Sequence, residues 1–508
     1  MKRIGIFSIL LTLLFAACAY GVSGDDLLAL PRQPLELQAL SVEIDRLIDE
    51  RGGTLIAPIS GANRQPIQKR DLTGDGIDNA IVFYQEPGGL YIAVFAQADG
   101  EFAPLLTIDL PGETMVSVAY ADLTGEGTLD IIVGTQIGEE RPLKTLSVFR
   151  LDDAVARNIL HTDYDAVIVH DIDNSGRERL LTVHYDNDVQ AGHVFLHEWI
   201  EHELVVSSLV ELSNEISGLQ HIRFSELIDG HPAMFVTSVA VATMPMDALT
   251  STVAESEFGR RNAVETALPE LVIIDVPMVV TDVLIYRDGV LENISIDTAT
   301  ARSDATRREA FLSIVDINGD GKLDIPMLLP LINNDDGDDD INMHILLWKN
   351  FNADGELIPV SQTFHNFAEG WYFILPELWQ DNTVRVVRRD ATVRERQVVL
   401  GILGSCIYLD NLYSGVLYEE HPYDEPLRDD EYSSDTVYDA IAISRLTGMA
   451  NGVPADGRFE VLRRNDDVIV VKIFELCDNM VAYQLDEQQV REALHWIETD
   501  MLSDALHH

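Results

Sequence analysis

Four short acidic turns carry the side chains of this chain that are best suited to chemistry. They read DLTGDGIDN from Asp71, DLTGEGTLD from Asp122, DIDNSGRER from Asp171 and DINGDGKLD from Asp316. Side-chain oxygens at turn positions 1, 3, 5 and 9, with the backbone carbonyl at position 7, can converge on a hard cation. Glycine at position 6 allows the sharp reversal that such a turn needs. The pattern therefore predicts bound Ca²⁺ with a structural role.

Three of the four turns supply a candidate ligand set. The candidates are Asp316, Asn318, Asp320, the Lys322 carbonyl and Asp324; Asp122, Thr124, Glu126, the Thr128 carbonyl and Asp130; and Asp71, Thr73, Asp75, the Ile77 carbonyl and Asn79.

The turns differ most at position 9. Asp324 and Asp130 place a carboxylate there, whereas the first turn has Asn79, with Asp78 one place early. The turn that begins at residue 171 has Arg179, and we expect its guanidinium to replace the metal. No turn has the glutamate at position 12 that gives helical calcium loops a bidentate ligand, so we expect modest affinity. The alternative is that Asp and Gly merely form side-chain-capped turns.

The turns belong to a repeat. Each one ends a run of alternating apolar residues and is followed by another run, such as AIVFY or DIIVG, and the first three turns begin 51 and 49 residues apart. A period of this length with several strands per unit predicts propeller blades of four antiparallel strands. We expect the strands of the first blade near residues 66–72, 79–85, 90–97 and 103–109.

A long gap separates the third turn from the last one. A weaker opening, FSELIDG, places Glu226 at position 1, and Asp316 follows 90 residues later. An insertion over residues 243–280 explains the excess length, because removing it leaves about one ordinary repeat. An extra strand pair around LVIIDV is the alternative. Arg260 and Arg261 within the insertion suit an interaction surface.

The expected fold class is all-β. We expect a propeller of six or seven four-stranded blades over residues 54–405 and a short amphipathic helix over residues 35–53. Residues 406–508 are expected to form a small α+β C-terminal module, which either stands apart or completes the propeller.

The C-terminal module has its own predicted elements. Strands are expected near residues 458–474 and 480–485. A helix should follow, because Asp486 and Gln489 have the spacing of a capping box. Its apolar face would be Val490, Leu494, Ile497 and Met501.

The N-terminus predicts export. Lys2 and Arg3 precede an apolar run that is too short to span a bilayer, so residues 1–17 read as a signal peptide. The sequence FAAC, which ends at Cys18, resembles a bacterial lipoprotein box, although Phe15 stands where leucine is usual. Lipidation of Cys18 would leave residues 18–34 as a tether on the outer face of the cytoplasmic membrane or at the cell surface. Plain secretion is the alternative.

Composition restricts the partners. With 85 acidic and 35 basic residues the formal net charge is −50, which repels nucleic acid and anionic lipid, so contact with a membrane is expected only through the lipid anchor.

Cys406 and Cys477 would form a disulfide in an oxidising compartment, or remain as two buried thiols. His193 and His197 on one strand suggest zinc, but surface histidines are the simpler interpretation. No sequence motif singles out a catalytic residue.

The acidic turns resemble the FG-GAP, or VCBS, repeats of integrin-like β-propellers. The segment LPRQPLELQALSVEIDRLIDERGG followed by RDLTGDGIDNAIVFY is similar to the start of bacterial lipoproteins that contain such repeats. The resemblance covers about residues 29–405. It implies an extracytoplasmic propeller that binds a protein or a glycan. An extracellular hydrolase or lyase built on a propeller is the main alternative, and an envelope-assembly component is a third.

Overall fold

A computed structural model describes residues 35–98, 101–138, 143–152, 154–241, 277–329, 343–367, 369–380, 384–389, 395–404, 436–446, 457–476 and 478–498. The signal segment, Cys18 and its tether, most of the 243–280 insertion, Cys406 and Cys477 lie outside these residues. Within the described ranges, no helix is both long enough and apolar enough to cross a membrane.

The described elements are two α-helices and 28 strands. They are α1 Leu35–Arg51, β1 Thr54–Leu55, β2 Ile67–Arg70, β3 Asn79–Glu86, β4 Gly89–Ala98, β5 Glu101–Leu110, β6 Thr114–Ala121, β7 Asp130–Ile137, β8 Leu143–Asp152, β9 Val155–Asp163, β10 Ala166–His170, β11 Arg179–Asp186, β12 Ala191–Ile200, β13 Glu203–Glu211, β14 Ile216–Glu226, β15 Pro232–Ala240, β16 Met278–Arg287, β17 Val290–Asn293, β18 Arg308–Glu309, β19 Ile325–Leu329, β20 Met343–Phe351, β21 Leu357–Asn366, β22 Trp371–Ile374, β23 Val384–Arg389, β24 Glu395–Gly404, β25 Thr436–Leu446, β26 Phe459–Arg464, β27 Asp467–Ile473, α2 Glu487–Ala493 and β28 Leu494–Trp496.

These strands form six sheets, so the described part of the chain is predominantly β-structure. Most sheets join strands that follow one another in sequence, in the orders β2-β3-β4-β5, β6-β7-β8-β9, β10-β11-β12-β13, β14-β15-β16-β17, β19-β20-β21-β22 and β23-β24-β25-β27-β26. Strand β1 pairs with β3, β18 with β16 and β28 with β22. A four-stranded antiparallel meander is the local topology of a propeller blade.

The first sheet agrees closely with the strands expected from the sequence. Strands β2 to β5 occupy residues 67–70, 79–86, 89–98 and 101–110. Strand β3 is buried along six consecutive residues, which means that both of its faces are covered. A strand buried on both sides reads as a continuous apolar run rather than an alternating one.

The described residues divide into two compact units. The first contains the described residues up to His170, with Arg177–Leu180 and His197–Val205, and the second contains the remainder. In the first unit, Leu40 and Ile44 of α1 pack on the outer face of the first sheet. An apolar core that includes Phe83 and Val133 joins the first and second sheets.

The second unit has its own cores. One surrounds Phe235, Ile325 and Phe351, and a larger one brings Trp371 and Trp379 together with the last sheet and α2.

The described strands after residue 406 do not form a sheet of their own. Strand β25 pairs with β24, and β27 pairs with β25, so residues after 406 continue the sheet that begins at β23. The prediction of a strand at residues 480–485 is wrong, because residues Asp478–Tyr483 form a 3₁₀ helix.

The C-terminal helix begins as expected but ends early. Asp486 and Gln489 form a capping box, and α2 then stops at Ala493. Leu494–Trp496 continues as β28 and pairs with β22. The open edge of β22 offers backbone partners to these residues, and this pairing outweighs the weak preference of a short isolated helix. The prediction that Leu494 and Ile497 continue the helical face is therefore wrong, and Met501 lies outside the described residues.

The insertion connects two paired strands. Strands β15 and β16 are direct antiparallel neighbours, with Ala240 opposite Met278. The intervening residues 242–276 lie outside the described part of the chain, and residues 278–280 belong to β16.

Candidate functional site

Three of the four acidic turns lie between strands that pair with each other. The turn at residue 71 joins β2 to β3, the turn at 122 joins β6 to β7, and the turn at 171 joins β10 to β11. The turn at 316 follows Val315, which bridges to Asp324 directly before β19. The position-1 aspartates Asp71, Asp122 and Asp171 therefore directly follow a strand, and Asp316 directly follows a bridge residue.

The position-1 carboxylate organises the backbone of each turn. Asp316 accepts the backbone N–H groups of Gly319 at 2.7 Å, Asp320 at 3.0 Å and Gly321 at 2.7 Å. Asp122 and Asp71 accept the corresponding glycine N–H groups at distances between 2.7 and 2.8 Å. The turns are thus held in shape by their own amides.

At Asp71, the backbone amides offset the electrostatic cost of burying a charged carboxylate. Burial raises the pKa of the Asp71 carboxyl, but the backbone N–H groups of Gly76, Gly74, Thr73 and Asp75 outweigh it and leave the pKa below its usual value. A carboxylate that accepts several backbone N–H bonds is stabilised in its charged form.

Position 9 makes one backbone contact in three of the turns. Its side chain accepts the N–H of position 2, and the bonds join Asn79 to Leu72 at 3.0 Å, Asp130 to Leu123 at 3.1 Å and Asp324 to Ile317 at 3.4 Å. Since an amide oxygen makes this contact in the first turn, a single oxygen atom is sufficient for the fold of the turn.

Asp130 and Asp324 each carry a second oxygen that the fold leaves unsatisfied. Both residues are 0% exposed, and Oδ1 of each has no hydrogen-bond partner among the described residues. Thr128 Oγ1 in the second turn is likewise buried without a partner. Asn350, 1% exposed, lies beside Asp324, and its Oδ1 also lacks one. Buried acceptors without donors are rare and usually indicate a missing ion or water.

The pKa values of these two carboxyls reflect the same environment. Burial raises the pKa of Asp130 to about 7; the Leu123 N–H and the Arg150 charge partly oppose the rise. The pKa of Asp324 is also raised to about 7, by burial first and then by the charges of Asp320 and Asp316, while the Ile317 N–H and a side-chain hydrogen bond with Asn350 partly oppose the rise. Without a cation, each buried carboxylate is costly in its charged form.

The second turn contains an ion pair that was not expected from the sequence. Glu126, proposed as a ligand at position 5, contacts Arg150 of β8, whose side chain is only 9% exposed. Arg150 also pairs with Asp152 at 3.2 Å and lies 5.5 Å from the ring centre of Trp199. An arginine within the strand sequence SVFRLDD was the available signal for this contact. Glu126 is therefore shared between the turn and a guanidinium.

Among the described residues, no arginine pairs with Asp320 at position 5 of the last turn. Asp320 Oδ1 accepts the N–H of Lys322 at 2.9 Å, and Oδ2 accepts the Asn318 amide at 3.3 Å. The Lys322 ammonium donates to the Ile228 carbonyl at 2.7 Å. Asp75 plays the same role in the first turn, where its Oδ1 accepts the N–H of Ile77 at 2.8 Å.

Hydroxyl side chains occupy position 3 of the first two turns. Thr124 Oγ1 donates to Asp122 at 3.2 Å, and Thr73 Oγ1 donates to Asp71 at 3.4 Å. In the turn at 171, Ser175 N–H contacts Asp171 at 3.0 Å, and Arg179 begins β11.

The first two turns lie against each other. Gly74 has φ of +73°, and a Cβ atom placed there would come within 2.8 Å of the Gly127 carbonyl oxygen. Only glycine allows this backbone conformation and this close approach together.

The described residues contain no group of three or more His, Cys, Asp and Glu side chains that could hold a metal by themselves. This applies to the suggested zinc site at His193 and His197 as well. The second and last turns each contribute three carboxylates, which do not form such a group either, so a calcium ion there would also depend on backbone carbonyls and on amide or hydroxyl oxygens. The unpartnered oxygens of Asp130 and Asp324 fit a cation that such mixed oxygen sets prefer.

Another buried carboxylate provides a contrast. Asp282 of β16 is fully buried, and it accepts the Ser213 N–H at 3.0 Å, the Ser303 hydroxyl at 2.6 Å and the Asn293 amide at 2.9 Å. Its environment is complete without a ligand, unlike those of Asp130 and Asp324. Sequence reasoning missed this network because its members are far apart in the chain.

Comparisons with known proteins give no family. No protein-family model and no curated protein sequence matches the chain. Similar solved structures include a protein from Lactobacillus plantarum, with 14% identity, a TM-score of 0.24, and coverage of 68% of this chain and 82% of that one. A rhamnogalacturonan lyase from Bacillus licheniformis has 11% identity, a TM-score of 0.27, and coverage of 63% and 64%. At such low TM-scores these similarities carry no argument about the chain.

Proposed function

We propose that this chain is a calcium-stabilised β-propeller of six or seven blades that binds a protein or a glycan outside a bacterial cell. The support for the architecture is the succession of four-stranded antiparallel sheets, several of which open with an acidic turn. A propeller packs such sheets face to face, and this agrees with strands such as β3 that are buried on both faces.

The calcium proposal rests on one observation, the buried and unpartnered Oδ1 atoms of Asp130 and Asp324. In the last turn the ion would be held by Asp316, Asn318, Asp320, the Lys322 carbonyl and Asp324. In the second turn it would be held by Asp122, Thr124, Glu126, the Thr128 carbonyl and Asp130. The first turn, with Asp71, Thr73, Asp75, the Ile77 carbonyl and Asn79, lacks the orphaned carboxylate oxygen.

Calcium would supply positive charge where the fold has concentrated negative charge. A cation that binds only the folded turns stabilises the native state in proportion to ln(1 + [Ca²⁺]/Kd). Extracellular modules bind calcium at about 10⁻⁴ to 10⁻³ M, so millimolar calcium is the relevant range. No chemical reaction is required of the ion.

Thermal unfolding tests this proposal. Millimolar calcium should raise the melting temperature above its value in excess chelator, and Asp316→Ala and Asp320→Ala should each remove much of the rise. Asp354→Ala, an exposed aspartate outside these turns, is the matched control. A wild-type melting temperature that is the same in calcium and in chelator would exclude structural calcium.

Export and lipidation complete the proposal. The signal segment 1–17 and Cys18 would place the propeller on a lipid anchor, so that the membrane is contacted only through the acyl chains. Cys18→Ser should abolish acyl labelling and yield a soluble or uncleaved protein. Labelling that persists in the variant would refute lipidation at this residue.

We propose only the class of the ligand, which is a protein or a glycan. In a propeller, loops at the rims vary while strands hold the fold, so the binding surface should be formed by loops. The purified chain should bind specific members of a protein or glycan array and leave the substrates of a broad hydrolase and lyase panel unchanged. Turnover of a panel substrate would instead identify the chain as an enzyme.

A further inference from the structure

A cavity lies in the first unit beside β6, the edge strand of its sheet. Its volume is about 380 Å³, and it is partly open to solvent. This volume is at the lower end of the range of small-molecule sites. The walls are residues 60–63, residues 116–119 of β6, Lys144, and residues between 164 and 169 that lead into β10. None of these residues belongs to an acidic turn, so the cavity is separate from the proposed calcium sites.

One wall of the cavity is held in place by hydrogen bonds to β6. The Ser60 N–H donates to the Val116 carbonyl at 2.8 Å. The Asn63 amide donates to the Val118 carbonyl at 3.1 Å. Residues 60–63 thus cover the edge of β6, so a peptide cannot add there as a further strand. A ligand in the cavity must instead be recognised by side chains, in a wall that is formed before the ligand binds.

Two charged residues of opposite sign line the cavity. The Lys144 ammonium donates to the backbone carbonyl of Asp165 at 3.3 Å, so the cation lies next to the residue that carries the carboxylate. The other polar residues of the described lining are uncharged, namely Ser60, Asn63, Ser117 and Tyr164. The described lining therefore has no net formal charge, and it offers both hydrogen-bond donors and acceptors.

Small aliphatic side chains provide apolar surface in the same cavity. Ala62, Val167 and Val169 are among them. An ion would lose hydration on entering a cavity whose lining has no net charge to offset the loss. A neutral sugar fits better, because each hydroxyl group both donates and accepts hydrogen bonds, and the C–H groups of the ring can contact the aliphatic side chains.

We propose that this cavity binds a single neutral sugar unit at the end of a glycan chain. Lys144 and Asp165 would form hydrogen bonds with the sugar hydroxyls. The volume suits a small group of this kind rather than the surface of a folded protein. The inference rests on the proposed function, and it narrows the ligand from a protein or a glycan to a glycan.

Binding of free monosaccharides tests the inference. Saturation-transfer difference NMR is recorded on the full-length protein in calcium, with D-glucose, D-galactose, D-mannose, L-rhamnose, N-acetylglucosamine and N-acetylgalactosamine in turn, and with L-serine as a zwitterionic comparison. At least one sugar should give a saturable signal, and L-serine should give none. The absence of a signal from every sugar, or a signal from L-serine alone, would overturn the inference.

Three variants test whether the sugar binds in this cavity. Ala62 is exposed and lines the cavity, so Ala62→Trp should block entry and abolish the signal. Ala57→Trp, at an exposed position of the same segment outside the cavity, should retain it. Lys144→Met should weaken binding roughly tenfold or more, because it removes a hydrogen bond from a charged donor. A signal that Ala62→Trp leaves unchanged would overturn the assignment to this cavity.

A crystal structure of the wild-type protein with the bound sugar does not depend on the folding of a variant. Electron density for the sugar should lie beside Lys144 and Asp165, and density only at another place would overturn the inference. Failure here is distinct from failure of the proposed function. Array binding that Ala62→Trp retains would leave the proposed function standing without the cavity, whereas a wild-type protein that binds nothing on the array would contradict both.

Discussion

At position 9, one side-chain oxygen completes the fold of the turn, and a second oxygen, present only in aspartate, is available to a cation. Asn79, Asp130 and Asp324 all accept the same backbone N–H, so all three complete their turns. Only Asp130 and Asp324 also have a second side-chain oxygen, Oδ1, which is buried and receives no hydrogen bond from the described residues. The residue types and their spacing were visible in the sequence. The burial was not, because it arises when neighbouring sheets cover the turn.

Exchanging the amide of Asn79 and the carboxylate of Asp130 should reverse how the stability of each turn responds to calcium. Asp130→Asn keeps an oxygen for the Leu123 N–H and removes a buried carboxylate that costs roughly 1–3 kcal/mol when unpaired. The variant should therefore melt at or above the wild-type temperature in chelator and below it in calcium. Asn79→Asp should do the opposite, with lower stability in chelator and a larger gain on adding calcium. Differential scanning calorimetry in both conditions measures each effect.

A neighbouring residue controls for the change in charge. Asp78→Asn removes one negative charge from the first turn at an exposed position without altering position 9. It should leave the calcium response unchanged within error. Equal responses of Asp130→Asn and Asp78→Asn, which remove the same charge, would show that net charge, rather than the position-9 oxygen, determines calcium sensitivity.

At the scale of elements, one row of aromatic side chains spans four of the five strands of a sheet. His344 pairs with His365 across β20 and β21, His365 with Tyr372 across β21 and β22, and Tyr372 with His495 across β22 and β28. The rings of His365 and Tyr372 stack at 5.0 Å, and those of Tyr372 and His495 stack at 5.1 Å. The row thus helps to hold the C-terminal strand in place.

This row predicts acid sensitivity. Burial and, to a smaller extent, the His344 charge together lower the pKa of His365 from 6.5 to about 3. Because the unfolded chain takes up the proton first, the stability that depends on neutral His365 is present above pH 6.5 and is lost as the pH falls toward 3, by several kcal/mol as an order of magnitude. His365→Gln keeps a polar group for Thr363 and should flatten that slope in urea unfolding between pH 7 and pH 4. A parallel pH profile for the two proteins would contradict the assignment.

The C-terminal helix and strand illustrate what sequence patterns can and cannot predict. The capping box at Asp486 and Gln489 is local, so its spacing was sufficient. The end of α2 at Ala493 depends on the open edge of β22, which is more than a hundred residues away in the sequence. Residues Leu494–Trp496 therefore form a strand, although the apolar residues of this region have helical spacing. The same non-local pairing explains why residues after 406 joined an existing sheet.

The cap itself can be tested. Asp486→Ala removes the bond from the Gln489 N–H, which measures 2.8 Å, and should cost about 1 kcal/mol of unfolding free energy. Gln488→Ala, on the exposed side of the same helix, should change the stability by much less. Urea denaturation of both variants provides the comparison. Equal losses would mean that the cap contributes nothing specific.

At the scale of the whole molecule, the repeat accounts for both the sheets and the distribution of charge. The 85 acidic residues far outnumber the 35 basic ones, and the acidic turns recur wherever the repeat is regular. Repeat spacing therefore predicted the sheets of the first three turns well. It did not predict Arg150 beside Glu126 or the hydrogen bonds of Asp282, since those contacts join elements whose proximity only the tertiary fold creates.

Counting the bound calcium ions tests the central claim most directly. Equilibrium dialysis of the full-length protein with radioactive calcium, at concentrations up to several millimolar, gives the number of ions per chain. Asp130→Asn and Asp324→Asn should each bind one ion fewer than the wild type, and the double variant two fewer, while Asp78→Asn binds as many as the wild type. An unchanged number of bound ions in the double variant would contradict the assignment of calcium to these two turns.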